Sequence, residues 1–143
     1  MEIIKGDIFK SNMQTIINPI NCVGVMGKGL ALSFKQKYPE MYIDYKTRCN
    51  NNQVKIGEPY LYKTDSVWIL NFPTKKHWKE KSKIEYITTG LDYILNHYEE
   101  FGITSLAIPK IGAGLGGLDW DNEIYPEILT FSKKINIPIH IFI

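Results

Sequence analysis

Cysteine is scarce: Cys22 and Cys49 are the only two in 143 residues. Their spacing matches no metal-ligand pattern, so no metal is expected and both are read as reduced thiols of a cytoplasmic protein. No apolar run approaches the length of a membrane span, and the N-terminus lacks a signal-peptide pattern, which leaves no expected role for a membrane. Charge of one sign is also lacking. A formal net charge of +2 is too small to argue for nucleic acid by itself, so such a claim must rest on where the charges cluster. There is no Walker A motif and no complete dinucleotide fingerprint, which argues against nucleoside triphosphate hydrolysis. What is present, 44% hydrophobic and 22% charged residues, is the composition of one globular domain over residues 1–143 with a full core, expected as a monomer.

Two stretches share one design. The apolar run Met13 to Ile17 leads through Asn18 and Asn21 into a turn containing Gly24, Gly27 and Gly29, and then into apolar residues at helical spacing, Leu30, Ala31, Phe34 and Tyr38. Far along the chain, Ser105 to Pro109 leads into Ile111-Gly112-Ala113-Gly114-Leu115-Gly116-Gly117 and then a further helix. Glycine removes the Cβ where a ligand approaches the backbone, and amides at a helix N-terminus suit an anion. Two such loops at the carboxyl ends of strands in one sheet could grip a diphosphate from both sides.

The remaining elements follow in order. Glu2 to Lys5 reads as a strand closed by Gly6-Asp7, where Asp7 is both a helix cap and a candidate acceptor for a ligand amine. After the first glycine loop come helices over Leu30 to Tyr38 and Met41 to Cys49, the second opened by Pro39. A hairpin follows, with strands Tyr60 to Tyr62 and Val67 to Leu70 turning at Thr64-Asp65-Ser66. Ser82-Lys83-Ile84-Glu85 reads as a capping box for a helix bearing Ile84, Ile87, Leu91, Ile94 and Tyr98 on one face, ended by Gly102. The last helix has its sequence cap at Asp119, but Pro126 delays regular hydrogen bonding beyond it. The strand Pro138 to Ile143 closes an α/β chain with a mixed sheet between helical layers.

Between Lys75 and Lys83 stand five lysines, Lys75, Lys76, Lys79, Lys81 and Lys83, against the single acid Glu80. With His77 and Trp78 among them, the composition suits a nucleic-acid strand, although a solvated loop would read the same way. Lys75 comes first after the buried strand, at the edge where the glycine loops emerge. A partly desolvated amine there has its pKa lowered toward a nucleophilic or proton-transferring range, and the residues leave open whether it acts as a nucleophile or as a cation stabilising the departing group.

These residues resemble the macro domain family over essentially the whole chain. The family has a three-layer α/β/α fold that binds ADP-ribose. Lys5-Gly6-Asp7-Ile8-Phe9 is similar to its opening motif, which implies that Asp7, with Ile8, holds the adenine. The run from Asn18 to Ala31 is similar to its first substrate loop, which implies binding by Asn21, Cys22, Val23, Gly27, Lys28 and Gly29. The run from Pro109 to Leu115 is similar to its diphosphate loop, which implies Ile111, Gly112, Ala113, Gly114, Leu115 and Gly116.

Within the family, the first loop together with Asn71-Phe72-Pro73-Thr74-Lys75-Lys76-His77-Trp78 resembles the DNA ADP-ribosyl glycohydrolases of the DarG antitoxin type. The resemblance implies hydrolysis that removes ADP-ribose from thymidine bases of single-stranded DNA, countering a DarT-type toxin as partner. It implies Lys75 as catalytic, Asn21 as orienting the distal ribose, and Thr74 as a substrate contact. The basic loop itself, by composition, offers Lys76, His77, Trp78 and Lys79 as candidate DNA contacts, and no cofactor is expected. Full-length DarG proteins carry a further C-terminal region that binds the toxin. Related animal glycohydrolases pair such a lysine with an aspartate where Gly116 stands here, so the resemblance does not extend to a lysine–carboxylate pair. Two other functions share this framework: a hydrolase of ADP-ribose esters, and a non-catalytic ADP-ribose-binding module.

Overall fold

Adjacent apolar residues on the strands point to opposite faces, and in this chain both faces are covered. A computed structural model, which describes all of residues 1–143, divides the neighbours Ile16 and Ile17 between two cores. Ile69 and Leu70, Ala107 and Ile108, and Phe142 and Ile141 divide in the same way. One core gathers Ile17, Leu70, Ile108 and Ile141 with Ile87, Leu91, Ile128 and Phe131. The other gathers Ile16, Ile69, Ala107 and Phe142 with Phe34, Met41 and Tyr45. The result is the expected helix, sheet, helix sandwich.

The strands are β1 (Glu2–Ile4), β2 (Thr15–Asn21), β3 (Tyr60–Lys63), β4 (Trp68–Lys75), β5 (Leu106–Ile108) and β6 (Ile139–Phe142). They form one six-stranded sheet in the order β1-β6-β5-β2-β4-β3. Every neighbouring pair is parallel except the β3–β4 hairpin. Helices α1 (Gly29–Lys37) and α2 (Pro39–Asn50) lie on one face, and α3 (Ile84–Phe101) and α4 (Tyr125–Lys134) on the other. No helix is long and apolar enough to cross a membrane.

Two local readings need adjustment, and a third takes a specific form. The second hairpin strand does not stop at Leu70 but continues to Lys75, through Pro73. The ladder explains why proline is tolerated: Trp68 N–H donates to the Gln14 carbonyl at 2.9 Å, so alternate residues from Trp68 onward face β2 and Pro73 faces the other way. On that side β3 has already ended, its last partner pair being Tyr60 with Asn71. The capping box at Ser82 does not form. Ser82 N–H donates instead to the Gly116 carbonyl at 2.8 Å, its hydroxyl is buried without a partner, and α3 starts from Lys83 with no side-chain cap. At the last helix, Asp119 accepts from Asn122 N–H, a π-helical turn spans Trp120–Ile124, and α4 begins with Pro126 in its first turn. The delay expected from Pro126 thus takes the form of one wide turn.

The parallel neighbours β2 and β5 are paired only over Thr15–Leu106 and Ile16–Ala107. Beyond that point β2 leads through α1 and α2 toward β3, while β5 leads through α4 toward β6. Chains leaving adjacent strands in opposite directions open a crevice at the strand carboxyl ends.

Candidate functional site

Because β1, β2, β4 and β5 run parallel, the segments after them emerge at one edge of the sheet. These are the segments singled out in the sequence: Asp7, the first glycine loop, the lysine segment and the second glycine loop.

The first loop is built around Asn21, which is only 8% exposed. Its Oδ1 accepts from Val23 N–H at 3.1 Å and Val25 N–H at 3.4 Å, and its Nδ2 donates to the Val25 carbonyl at 2.6 Å. The Tyr45 hydroxyl lies 2.7 Å from Asn21 Oδ1 and 2.8 Å from its carbonyl, so its one proton serves both. Tyr42 holds the Gly24 carbonyl at 3.0 Å, where the backbone takes the left-handed conformation at φ 84°. Met26 plugs the loop into the core at 1% exposure. Asn21 is therefore first of all the organiser of its own loop, and one Nδ2 hydrogen remains for a ligand. Val23, Gly27, Lys28 and Gly29 are exposed, and Lys28 caps α1 with its backbone alone, leaving the first amides of that helix facing outward.

Lys75 is the neighbour of Asn21. After a register shift that sets Thr74 aside, the two residues are partners in the β2–β4 ladder. The Thr74 hydroxyl donates to the Ile20 carbonyl at 3.3 Å, which pins the irregularity. Lys75 Nζ donates to the Trp78 carbonyl at 3.3 Å, and partial burial holds its pKa below the ordinary lysine value. The chain then makes a tight turn: His77 Nδ1 accepts from Lys79 N–H at 3.1 Å and the His77 carbonyl from Glu80 N–H at 3.1 Å. Cys22 N–H donates to the Lys76 carbonyl at 3.3 Å, joining this turn to the first loop.

In the second glycine loop, Ile111 and Gly112 are buried and Gly114 and Leu115 exposed. Gly112 has φ 76°, and an added Cβ would stand 3.1 Å from both Ile87 and Leu118 side chains, so a side chain there would be both strained and crowded. The loop is tied to the lysine segment through Ser82 N–H and the Gly116 carbonyl. It meets the first loop at Leu115, whose Cδ1 would be 3.3 Å from a Cβ on Gly29. Asp7 accepts from Phe9 N–H at 2.9 Å through Oδ1 alone, and Phe9 packs on Phe34 of α1 with ring centroids 4.7 Å apart. Ile8 is buried beneath it.

The first loop, the lysine segment and the second glycine loop thus close a ring at the mouth of the β2–β5 crevice, and the Asp7 segment joins it through α1. Its electrostatics are those of an anion site: outward amides, glycine backbone and lysines, with Asp7 at one end. Cys22 is not a nucleophile here, since burial pushes its thiol up to about 11 and keeps it protonated. A separate hollow of about 270 Å³ among Arg48, Gln53, Tyr60, Tyr93 and Phe101 shares no residue with the ring. The reading of the sequence missed Tyr42 and Tyr45, which clasp the first loop from α2. Their three-residue spacing on that helix was the available signal, but only the fold shows what they reach.

The family model described as Macro domain matches residues 17–124. A DNA ADP-ribosyl transferase–DNA ADP-ribosyl glycohydrolase fusion protein of Thermosipho africanus is 38% identical over an alignment of 162 positions, covering 100% of this chain and 42% of that protein. The chain therefore spans about two fifths of the length of this curated relative. Among solved structures, the macrodomain of Mycobacterium tuberculosis DarG superposes with a TM-score of 0.92 at 38% identity, covering 99% of this chain and 95% of that one. Thermosipho africanus DarTG in complex with ADP-ribose gives a TM-score of 0.93 at 41% identity, covering 98% of this chain and 40% of that one.

Proposed function

Since this chain belongs to the macro domain family, we infer that its crevice binds ADP-ribose and that residues 1–143 act as a cytoplasmic DNA ADP-ribosyl glycohydrolase. The substrate is ADP-ribose joined to thymidine in single-stranded DNA, the product of a DarT-type toxin that this protein opposes as antitoxin. The observation that carries this reading is the pairing of Asn21 with Lys75 in the ladder, at the edge where both glycine loops meet.

Asp7 takes the adenine amine on its uncommitted oxygen. The diphosphate lies between the outward amides of α1 and the Ile111–Gly116 backbone, where aligned peptide dipoles offset its charge. Asn21 offers its remaining Nδ2 hydrogen to the distal ribose, beside the Lys75 amine. Partial burial that lowers the Lys75 pKa favours the neutral amine, and with it attack on the anomeric carbon. In that step the amine nitrogen bonds to the anomeric carbon, the bond to thymine breaks, and the base leaves with the bonding pair and gains a proton. Water then releases ADP-ribose and restores the amine. Lys76 and Lys79 face solvent beside the site and carry charge suited to flanking phosphates.

The test is release of ADP-ribose from thymidine-modified single-stranded DNA and from glutamate-modified protein, by the wild type and Lys75→Ala. Release from DNA alone, lost in Lys75→Ala, is the expected result. Preferential release from the protein substrate would replace this reading with ester hydrolysis. Binding of ADP-ribose without any release would leave a non-catalytic module. Borohydride should trap a lysine–sugar adduct during turnover, and failure to do so would remove the covalent step.

A further inference from the structure

Trp78 is 46% exposed, a large apolar surface left in water three residues from the reactive amine. Its ring is flanked by its neighbours in the turn. The His77 imidazole stacks against it at 5.5 Å between centroids, and the His77 Nδ1 bond to Lys79 N–H fixes the turn from which it projects. Lys79 Nζ stands 5.1 Å from the indole centroid. An ammonium over an exposed ring is weakly held, and it can yield that face while moving to a phosphate. The Trp78 carbonyl, meanwhile, is the acceptor that holds Lys75 Nζ. One residue therefore anchors the amine by its backbone and presents an exposed aromatic surface by its side chain.

We propose that Trp78 is a specificity-determining residue, whose indole stacks the unpaired base next to the modified nucleotide and so selects a single strand over an isolated ADP-ribosylated nucleoside. This rests on the reading of the substrate as DNA. The chemistry fits in three respects. Stacking accepts any base, because every base has a π-face. A duplex cannot offer such a face without unpairing. Charge in the segment runs one way, with Lys76, Lys79, Lys81 and Lys83 against Glu80, which suits the backbone on either side of the stacked base.

The experiment is a cycle between one side chain and one base, read by binding. Lys75→Ala serves as the background in every arm, so that no substrate is consumed. Affinity is measured for a five-nucleotide strand with a central ADP-ribosylated thymidine, for strands in which either flanking base is replaced by an abasic site, and for ADP-ribose. In the Lys75→Ala background, removing the stacked base should weaken binding about tenfold, and Trp78→Ala should weaken binding of the intact strand by a similar factor. The two losses should not multiply when combined, and Trp78→Phe should recover most of the affinity. The ratio of strand to ADP-ribose affinity should fall about tenfold in Trp78→Ala. Losses that multiply, or a ratio unchanged by Trp78→Ala, would overturn the proposal. Failure of the wild type to release ADP-ribose from the strand would sink the glycohydrolase reading while leaving this binding cycle able to decide its own question.

Discussion

Replacing a helical glycine by alanine ordinarily stabilises a protein by about 1 kcal/mol. At Gly90 of α3 the sign should reverse. The helix crosses β4 there over Phe72, whose ring is fully buried. A Cβ on Gly90 would lie 2.3 Å from Phe72 Cζ and 2.8 Å from both Cε atoms. Carbon atoms settle at about 3.5–4.0 Å, so the helix or the ring must retreat by more than an ångström. Neither has room, because Phe72 is fully buried in the core that α3 closes over the sheet. Overpacking of this kind costs about 1–3 kcal/mol and here sits at the upper end, so after the helix-propensity gain Gly90→Ala should lose about 2 kcal/mol. For a chain of this size that is a fall in Tm of roughly 6–8 °C. Thermal unfolding followed by circular dichroism reads it directly. Phe72→Leu opens space at the same spot, so the double variant should be more stable than the sum of the single losses by at least about 1 kcal/mol. A stabilised Gly90→Ala, or losses that simply add, would refute this account of how α3 seats on the sheet.

Tyr45→Phe should cost about 1–2 kcal/mol in urea unfolding, because it leaves the Asn21 side chain and carbonyl short of a buried donor, and it should also weaken ADP-ribose binding. For Lys75 the neutral amine fraction grows as pH rises through its pKa, and burial has moved that pKa below the ordinary value of about 10.4. Single-turnover rates should therefore climb with pH and level off below that value, whereas a fall over the same range would assign catalysis to the charged form. Affinity for a modified single strand should drop with salt, and Lys76→Gln with Lys79→Gln should reduce the slope of log K against log salt by about 1.4 if each lysine neutralises one phosphate. An unchanged slope would place both lysines away from the backbone of the strand.

The parts of the fold legible in the sequence were those set by short periods. Ile16 beside Ile17, and Ile69 beside Leu70, have no polar alternation, and such strands are covered on both faces, as they are here. The helical spacing of Ile87, Leu91, Ile94 and Tyr98 likewise gave α3 its buried face. The capping box at Ser82 was a sound local reading that lost to a distant competitor. The Gly116 carbonyl, from a loop more than thirty positions away, takes the Ser82 amide and sets where the helix begins. Sequence reading also gave Asn21 one role, at the ligand. The fold adds a prior one, because Tyr45 and the amides of Val23 and Val25 all draw on the same amide group.

The same competition explains how the site acquires its shape. Asn21 and Lys75 lie far apart in the chain, and regular parallel pairing would set Asn21 beside Thr74, since Ile20 is matched with Pro73. The irregularity moves the match by one residue and brings Lys75 level with Asn21. The irregularity is held from the residue after the proline: Pro73 faces away from β2 and has no N–H to pair on the open side, while the Thr74 hydroxyl reaches across to the Ile20 carbonyl. The Pro73-Thr74-Lys75 run is thus a register device as much as a motif. A one-residue slip back would exchange which side of the sheet the amine addresses, because successive strand residues point to opposite faces. Thr74→Val keeps the shape of the side chain and removes only the hydroxyl. If the bulge depends on that bond, the variant should lose turnover more than ADP-ribose affinity, since the glycine loops that grip the diphosphate do not pass through Thr74. Equal losses in both would mean that the bulge is held by the loops themselves, and that the hydroxyl only follows.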